Sequence, residues 1–333
     1  MISRLTTKPH NRGHSRPIVA GTGLTAVDRI YSTDLAAPVQ ALGGSCGNIL
    51  VSLAMLGHPV SPMVTLGDDD HGRYLFDEFA KAGCETRYVS RSGSCGSPVI
   101  VEIVDPKNAT HRFTSTCPET AHSFPKWQSI DDQQVRRATK ALKTVSVFYA
   151  DRVSASIVVA MKAASEAGAL VFFEPASADG ALFSAALRSA SVLKLSDDTV
   201  GRSVQDDDVS PETVIIRTHG ASGLTVSLGR ESQYFPSVSA PRLVDTCGAG
   251  DMVTTGLLDF ILRRCMHGGS WTIDDLFEGV LVGQRLAALN CAFAGARGLF
   301  FAAGAGYVRD ILDRGIDDSC SSFVTTLGSH DGY

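Results

Sequence analysis

The feature that most constrains the fold is a regular alternation of short apolar runs with longer stretches of helical periodicity. Runs such as IVAGTG, TVSVFYADR and ALVFFEP alternate with stretches such as GNILVSLAMLGH and SASIVVAMKAASEAG, whose apolar residues recur at helical spacing. Short strands with helices between them indicate βαβ units. The sequence therefore predicts an α/β fold, with a mostly parallel central sheet and helices on both faces.

Two segments, residues 30–44 and 97–115, interrupt this alternation. The second consists of VIVEIV, a DPKN turn and THRFTS, which is the pattern of an antiparallel hairpin with one exposed face. We interpret both segments as antiparallel strands of a small β lid built onto the sheet. An exposed lid edge is able to pair between subunits, so a homodimer is a further expectation.

Composition excludes several classes of protein. The 333 residues are 44% hydrophobic and 20% charged, and the formal net charge of −5 comes without a long basic run, so no nucleic-acid partner is expected. Uncharged apolar stretches of about 18 residues are missing, so no membrane span is expected. The eight cysteines include no CxxC pair, which favours free thiols in a reducing cytoplasm.

We expect three parts along the chain. Residues 1–16 are polar and basic and predict a flexible N-terminal arm. Residues 17–315 are long enough for one large domain with an accessory piece, which we take to be the lid. Residues 316–333 are rich in Ser, Thr and Gly and predict a loosely held C-terminal tail.

The stretch DTCGAGD, residues 245–251, places two aspartates around a glycine-rich turn at the start of an apolar, helix-like stretch. If Gly248, Ala249 and Gly250 form the first helical turn, their N–H groups and the helix dipole would bind an anion. Asp251 would lie beside that anion and accept a proton from a substrate hydroxyl. An ordinary helix cap explains the spacing about equally well, because an aspartate there stabilises a helix by about 0.3–1 kcal/mol.

Two further stretches carry candidate polar residues. GGSCGN, residues 43–48, places paired glycines before Asn48 at the start of a predicted helix, and a turn with an asparagine cap would account for this pattern by itself. Asp28 follows the first predicted strand, where a carboxylate can accept hydrogen bonds from two neighbouring sugar hydroxyls. A solvated loop carboxylate is the alternative for Asp28.

Together these stretches resemble the ribokinase-like, PfkB-type carbohydrate kinases. DTCGAGD matches the second signature of that family, GGSCGNILVSLAMLG matches the first, and the resemblance covers residues 17–312. It implies a three-layer α/β/α sandwich with a small β-sheet lid. It also implies transfer of the γ-phosphoryl group of ATP, with Mg²⁺, to an alcohol of a sugar, polyol or nucleoside.

The resemblance implies a role for each matching residue. The catalytic base is Asp251, and the anion hole consists of Gly248, Ala249 and Gly250. The acceptor contacts are Asp28, Gly44, Asn48 and Asp151. The nucleotide-binding residues are Lys194, Thr218, Gly220, Gly223 and Asn290. The ligands of a K⁺ ion, which some members bind, are Asp245 and the carbonyl of Cys247.

Two stretches depart from the family pattern. Where the family often has Asn-x-x-Glu, which helps arrange the water shell of magnesium, this chain has Ser196–Thr199. Asp197 or Asp198 is a candidate substitute, because magnesium keeps several waters and binds chiefly to nucleotide phosphates. FFEPASADG, residues 172–180, stands where many sugar kinases have Asp-x-Asn, so the sequence does not assign a particular sugar.

Two other functions are weighed against the kinase. The altered magnesium stretch is compatible with a ligand-binding protein of the same fold that has lost catalysis, although such a protein would not need Asp251. GTGLTA, residues 21–26, fits the G-x-G-x-x-A fingerprint of a dinucleotide-binding oxidoreductase. That fingerprint requires a helix directly after the glycines, and DRIYSTDLAAP, which follows this stretch, is a poor helix former.

Overall fold

The computed structural model describes residues 18–32, 36–105, 110–178, 180–201, 203–205, 208–266 and 271–314. The arm expected over residues 1–16 and the tail expected over residues 316–333 lie outside the described residues. Every candidate site residue lies within them.

Strands and helices alternate along much of the described chain. The strands are β1 (Val19–Thr22), β2 (Ala26–Ser32), β3 (Val39–Gly43), β4 (Val60–Pro62), β5 (Thr65–Gly67), β6 (Ser90–Ser92), β7 (Val99–Asp105), β8 (Thr110–Thr114), β9 (Val147–Ala150), β10 (Leu170–Phe173), β11 (Val192–Ser196), β12 (Val214–Thr218), β13 (Leu224–Leu228) and β14 (Glu231–Phe235). The helices are α1 (Ser45–Met55), α2 (Asp70–Lys81), α3 (Asp132–Leu142), α4 (Ala155–Glu166), α5 (Gly180–Leu187), α6 (Ala249–Met266), α7 (Ile273–Asn290) and α8 (Gly298–Arg314).

An eight-stranded sheet forms the centre of the fold, in the order β14-β13-β12-β11-β10-β9-β1-β4. The strands from β12 to β4 pair in parallel. β13 and β14 extend the sheet at one edge as antiparallel neighbours. The parallel sheet and its antiparallel edge hairpin confirm the arrangement predicted from the apolar runs.

Side chains of the central strands alternate between two apolar cores. In β9, Val147 and Tyr149 belong to the core that includes residues of α1, α2, α6, α7 and α8. Phe148 and Ala150 belong to the core that includes residues of α3, α4 and α5. Successive side chains of a strand point to opposite faces, so a strand covered on both faces is apolar throughout. The three layers confirm the predicted α/β/α sandwich.

The lid is a second sheet, with the strand order β3-β2-β7-β8. Its two hairpins are antiparallel as predicted, but β2 pairs with β7 in parallel, with Ile30 opposite Glu102, so the antiparallel prediction is wrong at the lid's centre. The first lid segment also begins at Ala26 rather than at residue 30, because β1 leads into β2 through a short turn that contains Gly23. β5 and β6 form a separate two-stranded sheet.

Two described helices are not predicted from the sequence. α3 is largely polar, and its start is marked by a capping box in which Asp131 and Gln134 each bind the other's backbone N–H. α8 contains Gly304 with φ of 79°, which interrupts the helical pattern along the chain. No described helix is both long enough and apolar enough to cross a membrane.

A buried ionic network joins α6 and α8 to the turn between α1 and β4. Asp259 of α6 is fully buried and is held by His58 Nε2 at 2.7 Å, by Arg263 Nε at 3.0 Å and by the guanidinium of Arg309. Burial raises the pKa of Asp259, but its hydrogen bonds to His58 and Arg309 outweigh that effect and leave the pKa below its ordinary value. The carboxylate therefore stays ionised and neutralises the cations packed around it.

We expect Asp259→Asn to lower the free energy of unfolding by about 3–5 kcal/mol, because the substitution removes a fully buried carboxylate that pairs with two partly buried arginines. Denaturant unfolding of the full-length protein measures this change. Asp313→Asn is the matched control, since the Asp313 side chain is half exposed and pairs with the same two arginines. An exposed pair contributes about 0–1 kcal/mol. Equal losses in the two variants would contradict a structural role for the buried network.

Candidate active site

Two helices begin side by side beyond the carboxyl ends of the central strands, where open α/β sheets bind their ligands. α1 brings Asn48 and α6 brings Asp251, and Asn48 Nδ2 donates a hydrogen bond to Asp251 Oδ2 at 2.9 Å. Both side chains are buried. Residues that are 203 positions apart in the sequence thus form one polar pair, and the two family signatures meet at it.

The surroundings of Asp251 set its protonation. Burial, and next the negative charge of Glu174, raise the pKa of Asp251 to about 6. The hydrogen bond from Asn48 and the positive charge of Lys194 act in the opposite direction. The carboxylate is therefore mostly ionised at neutral pH, yet more basic than an ordinary aspartate, as a proton acceptor should be.

The glycine turn before Asp251 differs in one respect from the prediction. The N–H of Ala249 donates to the carbonyl of Thr246 at 3.2 Å, so Ala249 does not contribute a free donor. Among the described residues, the N–H groups of Gly248 and Gly250 have no acceptor, and neither does that of Asp251, so free donors remain at the start of α6. Gly248 has φ of 69°, a backbone conformation that residues with a side chain rarely adopt, and it packs so closely against Ala296 that no side chain would fit.

Lys194 lies beneath this turn. It is 3% exposed, and its ammonium donates to the Glu174 carboxylate, to the Gly250 carbonyl at 2.8 Å and to Thr254 Oγ1 at 3.0 Å. An ammonium has three donors, so none remains for a nucleotide. Lys194 thus holds the first turn of α6, and its predicted contact with the nucleotide stays a prediction.

The Asp28 carboxylate lies on the lid side of the same site. Burial, and next the negative charge of Asp251, raise its pKa to about 7, while Arg297 and the N–H of Gly44 act in the opposite direction. A cavity of about 210 Å³ is lined by Asp28, Asn48 and Arg297 among others. Asn48 Oδ1 has no hydrogen-bond partner. The cavity thus presents an unused acceptor and a carboxylate to a small polar ligand.

Asp151, for which the resemblance implies contact with the acceptor, is also bonded within the protein. Its Oδ1 accepts from the N–H of Leu24 at 2.9 Å, and its Oδ2 accepts from the N–H of Cys46 at 3.2 Å. Arg152 lies 3.4 Å from Oδ2. One carboxylate oxygen is thereby bonded to the turn after β1 and the other to the first turn of α1, so Asp151 joins these two segments.

Asp245 connects the loop before α6 to two other segments. Its Oδ1 accepts from the N–H of Cys247 at 2.9 Å, and its Oδ2 accepts from the N–H of Gly295 at 2.8 Å. His111 Nδ1 of the lid lies 3.1 Å from Oδ1. Asp245 and Cys247, for which the resemblance implies K⁺ binding, are thus both buried and adjacent.

The predicted nucleotide loop follows β12. Thr218 ends that strand, and Gly220 and Gly223 both have positive φ, which allows a tight turn. His219, between Thr218 and Gly220, contacts Asp197 Oδ2 through Nδ1 at 2.6 Å, so Asp197 of the altered magnesium stretch is already paired.

Asn290 is fully buried, and its polar atoms are used within the protein. Its Nδ2 donates to the carbonyls of Gly295 and Ala296, each at 3.3 Å, and its Oδ1 accepts from the N–H of Leu299 at 3.0 Å. The predicted contact of Asn290 with the nucleotide stays a prediction. Asn290 braces the loop that packs against Gly248.

Comparison with known proteins identifies the family. The family model described as "pfkB family carbohydrate kinase" matches residues 23–299. The chain belongs to the pfkB family of carbohydrate kinases. The matched range contains both helix starts, the lid and the loop after β12.

Individual relatives of this pfkB family kinase differ in their substrates. It is 24% identical to a fructokinase of Klebsiella pneumoniae, over 78% of this chain and 88% of that protein. It is 25% identical to an ATP-dependent ribose-1-phosphate kinase of Halopiger xanaduensis, over 81% of this chain and 88% of that protein. Aminoimidazole riboside kinase from Salmonella enterica, solved with aminoimidazole riboside and an ATP analogue, has the same fold, with a TM-score of 0.67 and 20% identity over 89% of this chain and 99% of that chain.

Sequence reasoning missed Glu174 as a site residue of this pfkB family kinase. Glu174 follows β10 in the FFEP stretch, and it accepts hydrogen bonds from Lys194, from Thr254 at 3.1 Å and from Tyr149 at 3.3 Å. The available signal was a charged residue directly after a strand that is apolar throughout. The buried partner, Lys194, lies on the neighbouring strand β11 and could not be paired with it from spacing alone.

Proposed function

We propose that this pfkB family kinase transfers the γ-phosphoryl group of ATP to an alcohol of a sugar, polyol or nucleoside. The proposal rests on one observation: the Asp251 carboxylate and the free N–H groups of Gly248 and Gly250 all lie at the start of α6. A proton acceptor and an anion-binding turn within one helical turn are what phosphoryl transfer to a hydroxyl requires.

Asp251 acts as the base in this proposal. Its carboxylate accepts the proton of the acceptor hydroxyl as the new oxygen–phosphorus bond forms and the bond to the leaving β-phosphate oxygen breaks. Asn48 donates to Oδ2 of the carboxylate, and the hydroxyl would approach Oδ1. The N–H groups of Gly248 and Gly250, with the dipole of α6, stabilise the negative charge on the transferred group.

Recognition of the acceptor falls to Asp28, Asn48 and Gly44. Asp28 accepts hydrogen bonds from hydroxyls, as does Asn48 Oδ1, which has no other partner. Gly44 precedes α1 and its N–H interacts with Asp28, so it fixes the carboxylate in the cavity. Closure of the lid over these groups would exclude water, which would otherwise accept the phosphoryl group.

The nucleotide would bind along the loop formed by Thr218, Gly220 and Gly223. This assignment rests on the open turn after β12 and on the relative that was solved with an ATP analogue. Magnesium, when bound, neutralises charge on the transferred phosphates. Asp197 is paired with His219, so we propose that the exposed Asp198 binds the waters that surround the magnesium ion. Contact through water suits magnesium, because this ion is held mainly by phosphates and waters.

We also propose K⁺ as a monovalent activator, bound by the Asp245 carboxylate and the Cys247 carbonyl. Asp245 is 1% exposed and links the loop before α6 to the loop at Gly295. A cation there would stabilise the two loops that shape the glycine turn.

The function is tested by measuring ADP release from ATP and magnesium against a panel of sugars, sugar acids, polyols and nucleosides, in potassium and in sodium salts. Asp251→Asn protein serves as the blank. One acceptor that gives ADP release dependent on Asp251 supports the proposal and names the substrate class. If no acceptor is phosphorylated while ligands of the same panel raise the melting temperature, the chain is a binding protein of this fold, and the proposal fails.

We expect kcat/KM to fall with decreasing pH, with a midpoint between about 6 and 7. The base must be ionised, and the pKa of Asp251 is raised to about 6 by burial and by Glu174, so activity is retained above that pH and lost below it. Asp28 and Asp151, whose pKa values are raised to about 7 chiefly by burial, protonate in the same range and steepen the loss. A pH–rate profile of the wild-type enzyme measures the midpoint, and a midpoint near 4 would contradict a buried base.

A further inference from the structure

The lid carries a carboxylate that the proposed reaction does not use. Glu102 lies on β7 and faces the loop that precedes α6, where Asp245 and Cys247 are located. One ligand atom from each of the three side chains, two carboxylate oxygens and the Cys247 thiol sulfur, lies within 4.8 Å of the others. All three residues are buried. We call these three residues the lid–loop cluster.

Glu102 is the residue of the lid–loop cluster that requires an explanation. It is 1% exposed, neither carboxylate oxygen accepts a hydrogen bond from an N–H or hydroxyl group, and its polar neighbours are the Asp245 carboxylate and the Cys247 thiol. Buried carboxyl groups are normally hydrogen-bonded or paired with a cation, because burial without a partner is costly for both the protonated and the ionised group. Among the described residues, no other group of three or more His, Cys, Asp or Glu side chains lies close enough together to hold a metal ion. The unpartnered oxygens are therefore the second indication of a ligand, beside the grouping itself.

We propose that Glu102, Asp245 and Cys247 bind one divalent cation of the zinc class through their side chains. Ligands of such an ion lie about 2.0–2.3 Å from it, so two ligands of one ion lie at most about 4.6 Å apart, which small side-chain adjustments would give at this cluster. A thiolate with two carboxylates suits zinc or cadmium better than magnesium. His111, at 3.1 Å from Asp245, orients that carboxylate, as hydrogen-bonded neighbours of metal ligands commonly do.

This site differs from the proposed potassium site in its ligands and in its consequence. Potassium would use the Cys247 carbonyl, whereas the zinc-class ion uses the thiolate and adds Glu102 from the lid. The two ions share Asp245 and therefore compete. An ion held by both β7 and the loop before α6 ties the lid to the body of the protein and would hold it closed. The site does not depend on the phosphotransferase assignment.

The proposal is tested with the full-length protein, stripped with a chelator and titrated with Cd²⁺ in the absence of nucleotide and acceptor. We expect one cadmium per chain and a cadmium–thiolate absorption band in the ultraviolet, which Zn²⁺ abolishes by competition. Cys247→Ser should remove the band. Cys84→Ser is the matched control, since Cys84 is another buried free thiol, outside the lid–loop cluster, and its loss should leave the band unchanged.

Glu102→Gln separates the lid–loop cluster from a thiol that binds cadmium by itself. We expect this variant to bind cadmium roughly 10- to 100-fold more weakly, since even a neighbour of a metal ligand contributes that much to affinity. Melting temperatures without metal confirm that each variant is folded. A band that survives Cys247→Ser, or an affinity unchanged in Glu102→Gln, would overturn the proposal. In the second case Glu102 and Asp245 share a proton rather than a metal ion.

Discussion

Asp251→Asn is expected to lower kcat by about 10²- to 10⁴-fold, the usual contribution of a general base. The amide has nearly the size of the carboxylate and can still accept the hydrogen bond from Asn48, so the start of α6 keeps its structure. It does not accept a proton from a hydroxyl. The affinity for ATP should not fall, because the substitution removes a negative charge from beside the phosphates. Steady-state kinetics on the acceptor found in the panel, with nucleotide binding measured separately, test both parts.

The control for this prediction is Asp313→Asn, which makes the same chemical change on the half-exposed end of α8. It should leave kcat unchanged. Turnover close to that of the wild-type enzyme in Asp251→Asn would remove Asp251 from the role of base. Loss of nucleotide binding together with kcat would instead show that Asp251 maintains the shape of the site, and the two outcomes are distinguished by the binding measurement.

The strands and the central sheet are predictable from the sequence because of simple geometry. A strand that is covered by helices on both faces is expected to be apolar along its length, as LVFF of β10 is. Short apolar runs of this kind between helical stretches are typical of a parallel sheet in an α/β fold. The hairpin β7–β8 is predictable for a similar reason, since its partner strands are adjacent in sequence. The parallel pairing of β2 with β7 is not, because these strands are separated by about seventy residues and nothing local fixes their direction.

The candidate site is predictable in position but not in hydrogen bonding. The family signatures place Asn48 and Asp251 together, and the structure brings them to 2.9 Å. A resemblance gives the place of a residue in the chain, however, and not which of its polar atoms are already used. It implies that Lys194 and Asn290 bind the nucleotide, yet every donor of each is bonded within the protein. Only packing in three dimensions decides that.

Gly248→Ala is expected to lower kcat by about 10²- to 10³-fold, the cost of losing one donor of an anion hole. A Cβ atom at this position would lie 2.4 Å from the Cβ of Ala296 and 2.5 Å from its Cα, so the turn would have to move. The φ of 69° adds the strain of a left-handed residue, about 1–2 kcal/mol. Because the Gly248 and Gly250 donors belong to this turn, its displacement withdraws both from the transferred phosphoryl group.

Gly83→Ala separates backbone strain from the anion hole. Gly83 has φ of 86°, comparable to Gly248, but a Cβ atom there would have no neighbour within 4 Å, and the residue follows α2 rather than preceding α6. Both variants should therefore lose stability in a thermal unfolding experiment, and only Gly248→Ala should lose turnover in addition. Equal kcat values in the two variants would mean that the turn before Asp251 tolerates displacement. The transferred charge would then have to be stabilised by groups other than the N–H donors of α6.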